Sequence, residues 1–220
     1  MTDERQTPAE SRKKPGAGPA GATTRRGRVL RRIAAFGVLL VCVPGPTSAV
    51  VPPFEPEDPV VALLICDGLH RGLALPRPEG GYVEYGFGDW NWYAENRQGA
   101  FDGCAAVLWP TPGALGRREL PASVSAVRGA IPDGSIRELP VARADAERLR
   151  ERLEGAMRAG AAAARVRDDL RTTFVPCDAS YWFGRNCADA TADWLRELGC
   201  RVDDAPVRTR FVVQDAAGPR

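Results

Sequence analysis

The sequence has few of the residues from which metal and cofactor sites are usually built. Its 220 residues include one histidine, His70, and no C-x-x-C pair. A zinc site made of histidine and cysteine ligands is therefore not expected. Gly86 and Gly88 lack the third glycine and the following helix that a dinucleotide-binding loop needs. The sequence predicts neither a metal nor an organic cofactor.

Lysine is also scarce, and it is confined to Lys13 and Lys14. The first 49 residues carry nine of the 30 basic and three of the 28 acidic side chains, which leaves 21 basic and 25 acidic ones in the rest. The net positive charge thus belongs to the N-terminal segment alone. Nothing in the remaining sequence favours a nucleic-acid partner or an anionic membrane surface.

The N-terminal segment has the composition of a leader. Residues 1–28 have almost no large apolar side chains and are predicted to be disordered. A basic run at 25–32, an apolar run of 11 residues at 33–43 and small residues up to Ala49 follow the order of an export signal. We predict a signal peptide at 29–49, cut after Ala49, or a membrane anchor if it is retained. Either places the rest outside the cytoplasm, as a periplasmic, secreted or anchored protein.

The sequence after the leader predicts a Pro-rich linker at 50–59 and one domain at 60–214. Apolar runs predict two strands within 60–76 and a third from Tyr82, with Gly86 and Gly88 ending or bulging it. Apolar residues at helical spacing predict a helix over 142–173 and another over 186–199. A short helix near 97–110, a loop over 174–185 and a last strand near 207–214 complete the pattern. A few strands with separate helices are typical of an α+β domain.

Cys187 is the candidate nucleophile. It begins the apolar stripe of the helix at 186–199, which continues through Thr191, Trp194 and Leu198. Asn186, directly before it, is a favoured N-cap residue. The partial positive charge at a helix N-terminus lowers the pKa of a thiol.

A thiol nucleophile needs a base, and His70 is the only imidazole available. A lone histidine is more often a surface or hydrogen-bonded strand residue, but His70 follows a short break between two strands. The imidazole in turn needs a group that orients it. Glu84 is the first choice for that role, and Asp67 and Asp89 are the alternatives.

The other cysteines and the aromatic residues complete the predicted site. Five cysteines follow the leader, so in an oxidising compartment four could pair and one would stay free. We expect Cys177–Cys200 and Cys66–Cys104 as the pairs, or else five buried thiols that do not pair. Aromatic side chains flank both site segments and are candidates for an apolar groove: Trp90, Trp92, Tyr181 and Trp182.

Three segments resemble a known family. These are "LHRGLALP", "YVEYGFGDWNWY" and "RNCADATADWLRELG". They are similar to segments of exported bacterial proteins of unknown function, some of them described as urease-associated, and the resemblance covers about residues 60 to 205. The family usually has a threonine between the asparagine and the cysteine, where this chain has Asn186 directly before Cys187.

The order of the motifs, with the histidine strand first and the cysteine helix late, resembles a circularly permuted papain-like fold. That resemblance implies a small antiparallel sheet packed against helices and a Cys187–His70 pair with Glu84 as third member. It implies an exported cysteine-dependent hydrolase or acyltransferase acting on an amide, peptide or ester bond of the cell envelope. Its partner would be a small molecule, a peptide or a lipid. The alternative is a non-catalytic envelope binding or structural protein that keeps the fold.

Overall fold

The structure is a computed structural model that describes residues 47–205 and 208–216. The part described has two β-sheets and four α-helices, which confirms the α+β class. The strands are β1 Thr47–Val51, β2 Pro59–Asp67, β3 His70–Pro76, β4 Tyr82–Asp89, β5 Thr111–Leu120, β6 Ser135–Ala142, β7 Arg165–Arg167, β8 Thr172–Tyr181, β9 Arg201–Val202 and β10 Arg210–Val213. The helices are α1 Ala100–Leu108, α2 Val124–Ala130, α3 Arg143–Ala159 and α4 Cys187–Glu197. A π-helical turn, Trp90–Ala94, follows β4, and a short 3-10 helix, Ala161–Ala163, follows α3.

The larger sheet has seven strands in the order β6-β2-β3-β4-β5-β8-β7, and neighbouring strands are antiparallel. Side chains alternate between its two faces along each strand. Leu64, Leu73 and Tyr85 lie on what we call the helix face, because α3 and α4 pack against it. His70 and Glu84 lie on the other face, which we call the pocket face.

The helix face holds the main hydrophobic core. Helix α3 buries one stripe of residues at helical spacing: Ala146, Leu149, Leu153 and Met157. Helix α4 adds Trp194 and Leu195. Each fully buried leucine contributes roughly 1.5–3 kcal/mol relative to an exposed one, so this layer fixes the position of α4 and of Cys187 at its start.

The pocket face is covered only at its two sides. At one side Val127 of α2 packs against Leu63 and Ile65. At the other side the π-helical turn contributes Tyr93, which packs against Phe174 of β8. The region between these two clusters holds the pocket described below.

The smaller sheet has the order β10-β1-β9. Its central strand contains the bond after Ala49 that is the predicted cleavage point. The carbonyl of Ala49 accepts a hydrogen bond from the backbone of Asp203 at 3.1 Å, and Val50 is fully buried. Cleavage there would divide β1, and the predicted linker at 50–59 begins inside a strand. The rest of the predicted leader, 29–46, and the predicted disordered residues 1–28 lie outside the described residues.

Several predicted boundaries differ from the structure. Helix α3 ends at Ala159, well before the predicted 173, because the chain turns at Gly160 into β7 and β8. The predicted loop at 174–185 is mostly strand β8. Strand β4 continues through Gly86 and Gly88 to Asp89. None of the described helices is long and apolar enough to cross a membrane.

Candidate active site

A pocket of about 130 Å³ lies on the pocket face of the larger sheet. The residues that matter most for its chemistry and shape are His70, Glu84, Gly86, Tyr93, Arg118 and Phe174. They come from β3, β4, β5, β8 and the π-helical turn. The sheet therefore assembles the pocket from segments far apart in the sequence.

Glycines form the floor under the polar side chains. A Cβ atom on Gly86 would lie 2.5 Å from Cε1 of His70, and one on Gly72 would lie 2.5 Å from Oε1 of Glu84. Any larger residue would displace these two side chains. The close approach keeps the imidazole and the carboxylate directly against the backbone of β3 and β4.

The structure brings His70 and Glu84 together. Nε2 of His70 lies 3.6 Å from Oε1 of Glu84, an ion-pair distance that is too long for a hydrogen bond. The Glu84 side chain is only 3% exposed, and its Oε2 accepts a hydrogen bond from Nε of Arg118 at 2.5 Å. Burial acts to raise the pKa of Glu84, but His70 and Arg118 outweigh it and hold this pKa below its ordinary value.

Two buried polar atoms of the pair have no hydrogen-bond partner among the described residues. They are Oε1 of Glu84 and Nδ1 of His70. In a neutral His70 with its proton on Nε2, the nitrogen that faces Glu84, the free lone pair is on Nδ1. This is the arrangement that a general base requires.

Cys187 begins α4, as predicted. Oδ1 of Asn186 accepts a hydrogen bond from the backbone N–H of Asp189 at 3.4 Å, and Oδ2 of Asp189 accepts one from the backbone N–H of Asn186 at 3.0 Å. These reciprocal bonds form a capping box. The predicted N-cap role of Asn186 is therefore confirmed.

The thiol of Cys187 is buried beside the segment that precedes His70. Cys187 is 7% exposed, and its Sγ donates to the carbonyl of Leu69 at 3.4 Å. Burial raises the pKa of the Cys187 thiol, while the backbone N–H and the positive charge of Arg71 act in the opposite direction.

No hydrogen bond joins Cys187 to His70 in the part of the chain that the structure describes. The reason is strand alternation: α4 packs on the helix face, while His70 points to the pocket face. Tyr93 lies close to both, with its ring 6.2 Å from the His70 ring. Burial, and after it the charge of a Cys187 thiolate, raise the pKa of Tyr93. The catalytic pairing of Cys187 with His70 stays a prediction.

The two alternatives to Glu84 occupy different places. Asp67 lies opposite His70 in the β2–β3 pairing and lines the pocket. Asp89 is buried, and its carboxylate accepts hydrogen bonds from the backbone of Trp92 at 2.6 Å and from the Thr111 hydroxyl. Asp89 therefore caps the π-helical turn.

The aromatic residues expected to form a groove lie elsewhere. None of Trp90, Trp92, Tyr181 and Trp182 lines this pocket. Tyr181 packs against Phe87 with ring centroids 5.6 Å apart. Tyr93 and Phe174 take the wall positions, and Arg118 is a charged residue of the pocket that the sequence did not predict. The only sequence signal for Arg118 is its position on β5, the strand that pairs with β4.

The predicted disulfides are not formed. All five described cysteines, Cys66, Cys104, Cys177, Cys187 and Cys200, are free thiols. Sγ of Cys177 instead donates to the carbonyl of Ala179 at 3.9 Å. Cys200 lies in the core of the helix face, where burial raises its pKa to about 12.

Residues 47–205 and 208–216 contain no group of three or more histidine, cysteine or acidic side chains placed to hold a metal ion. Comparison with family models, with curated proteins and with solved structures finds no significant match to this chain.

Proposed function

We propose that this protein is an exported cysteine-dependent hydrolase or acyltransferase with a circularly permuted papain-like arrangement. One observation supports it above the others. His70, oriented by the buried Glu84 and with Nδ1 free, directly follows the residue whose carbonyl binds the Cys187 thiol. The candidate nucleophile and base thus lie near the start of β3, on opposite faces of the sheet, and Glu84 lies beside the base.

The reaction would follow the usual course of a thiol acyl transfer. Nδ1 of His70 takes the proton from Sγ of Cys187, and the thiolate attacks the carbonyl carbon of an amide or ester. The bond to the leaving group breaks as Nδ1 returns the proton to it. Water or an amine then attacks the thioester, which releases the acyl group and restores the thiol.

This course requires one local rearrangement. The hydrogen bond from Sγ to Leu69 must break, and the thiol must turn around the end of β3 towards the imidazole. The backbone N–H of Arg71 faces the sulfur and lowers the pKa of the thiol, which supports an anion there. Because burial raises the pKa of the Cys187 thiol, the proposed resting form is the protonated thiol.

The proposed substrate and location rest on the sequence of the leader. An amide, peptide or ester of the cell envelope is the proposed substrate class, because the leader predicts a protein outside the cytoplasm.

Acetylation by p-nitrophenyl acetate tests the proposal. We expect a burst of p-nitrophenol and an acetyl group on the peptide that contains Cys187, identified by mass spectrometry. Cys187→Ala should abolish the burst, and His70→Ala should slow it by roughly 10²–10⁴-fold, the usual contribution of a general base. Cys177→Ala is the matched control, because this half-buried thiol lies outside the site. Acetylation elsewhere, or an undiminished burst in His70→Ala, would overturn the proposal.

A second candidate is a non-catalytic binding module. The burial of Cys187 and its bond to the Leu69 carbonyl, rather than to His70, favour it. In that case the pocket alone is functional, and Cys187→Ala would leave ligand binding unchanged while no acetylation of Cys187 occurs.

A further inference from the structure

We propose that the pocket on the pocket face binds a small apolar group that carries an amine, with the amine directed at Oε1 of Glu84. The position of this ligand in a reaction rests on the proposed function, since the amine would be the leaving group that His70 protonates. The binding itself does not depend on Cys187.

The first argument is the unpartnered oxygen. Glu84 is 3% exposed, lines the pocket, and has one oxygen bonded to Arg118 and one that accepts no hydrogen bond from the described residues. A buried acceptor without a donor is unfavourable, and more so when it is charged. A ligand N–H that fills this position would remove that cost and form a charge-assisted bond.

The second argument is the charge of the lining. The titratable or charged side chains at the pocket are Asp67, His70, Glu84, Tyr93 and Arg118. Arg118 already donates to Glu84, and Asp67 forms no salt bridge among the described residues. A cation or a neutral donor is therefore favoured over an anion.

The third argument is size and shape. The walls are apolar and aromatic, with Tyr93, Leu170 and Phe174 around a floor of glycine backbone. The volume of about 130 Å³ is close to that of engineered cavities of about 150 Å³ that take up benzene. The ligand is thus a short aliphatic or single-ring amine, and the aromatic walls also favour its positive charge.

Benzylamine, benzyl alcohol and benzoate test the charge preference with one ring size. We expect benzylamine to bind at least tenfold more tightly than benzoate in a calorimetric titration, with benzyl alcohol between them. Glu84→Gln should remove the preference for the amine. Glu154→Gln is the matched control, because Glu154 also accepts from an arginine of β5 but lies on the helix face. Benzoate binding as well as benzylamine, or an unchanged preference in Glu84→Gln, would overturn the inference.

Two further variants keep the test decisive. Leu170→Trp should fill the pocket and abolish binding of all three compounds, which also decides the matter if Glu84→Gln fails to fold. Full benzylamine binding by Leu170→Trp would place the ligand elsewhere and overturn the inference.

Cys187→Ala should bind benzylamine normally, and loss of binding in this variant would also contradict the inference. If benzylamine binds but Cys187 is never acetylated, the pocket assignment stands and the proposed reaction falls. If Cys187 is acetylated but benzylamine does not bind, the proposed reaction stands and the pocket assignment falls.

Discussion

Each face of the larger sheet carries an arginine–glutamate ion pair, and the two pairs differ in their hydrogen bonding. Arg117 and Arg118 are neighbours on β5 and point to opposite faces. On the helix face, Oε1 of Glu154 accepts from Arg117 at 2.8 Å and from the Tyr85 hydroxyl at 2.6 Å. On the pocket face, Glu84 accepts from Arg118 and keeps its second oxygen free. The difference is that Glu84, 3% exposed, has a buried oxygen without a partner, whereas Glu154 is 27% exposed; a buried unpaired acceptor, and not the arginine–glutamate pair itself, distinguishes a site from a structural contact.

The largest expected difference between the faces is in packing. Leu195→Ala on the helix face should lower the free energy of unfolding by about 2–5 kcal/mol, because it leaves a cavity in a full core. Leu170→Ala, at the half-buried wall of the pocket, should lower it by less than about 1 kcal/mol. Urea denaturation of both variants measures this, and equal losses would remove the distinction between a packed and an open face.

The next largest difference should be between the two ion pairs, in the free energy of unfolding that is lost when each arginine is removed. Arg118→Met leaves the carboxylate of Glu84 buried without its main partner and should cost about 3 kcal/mol. Arg117→Met should cost at most about 1 kcal/mol, because Glu154 is more exposed and keeps the Tyr85 hydroxyl. The measurement is again the free energy of unfolding, and similar losses would show that the environments are equivalent.

At high pH the fold should lose stability through Cys200, which lies in the core of the helix face. Burial raises its pKa from 9.0 to about 12, so the unfolded chain ionises first and stability falls as pH rises through that window. From pH 9 to pH 10 the loss attributable to this thiol is about 1 kcal/mol. Urea unfolding at pH 8, 9 and 10 should show a shallower slope in Cys200→Ala, whereas parallel slopes would contradict a buried neutral thiol.

At low pH the fold should lose stability through Glu84 on the pocket face. This is the smallest effect we expect, because burial raises the pKa of Glu84 while His70 and Arg118 lower it. Its pKa is held below the ordinary 4.5, so its contribution is present above about pH 4.5 and is lost as pH falls below it. Thermal unfolding between pH 6 and pH 3 should show this acid loss in the wild type and less of it in Glu84→Gln. If stability falls equally with pH in both proteins, Glu84 does not contribute to the acid loss of stability.

The sequence predicts the site where the deciding contacts are local. Asn186 and Cys187 at a helix start follow from capping and the apolar stripe alone. His70 and Glu84 were predictable because β3 and β4 form a hairpin, so alternation places both side chains on one face. Arg118 and Phe174 were not predictable, since they depend on pairings of β5 and β8 across long connections.

The position of Cys187 relative to His70 depends on a different kind of information. The sequence indicates which side of α4 is buried but does not indicate which face of the sheet it covers. Strand β1 was missed for another reason. Its small residues "TSAVV" match a cleavage site as well as they match a short strand, and only the contacts with β9 and β10 separate the two.

The pairing of β1 with β10 also has a mechanical consequence. The strands are parallel, and Thr47 lies beside Arg210 while Val50 lies beside Val213. A pulling force that acts between residues 47 and 213 would run along both strands and load their hydrogen bonds in shear, all at once, instead of opening them one after another. If the N-terminal segment is retained as a tether, this small sheet is the element that would bear tension between the tether and the C-terminal end of the fold.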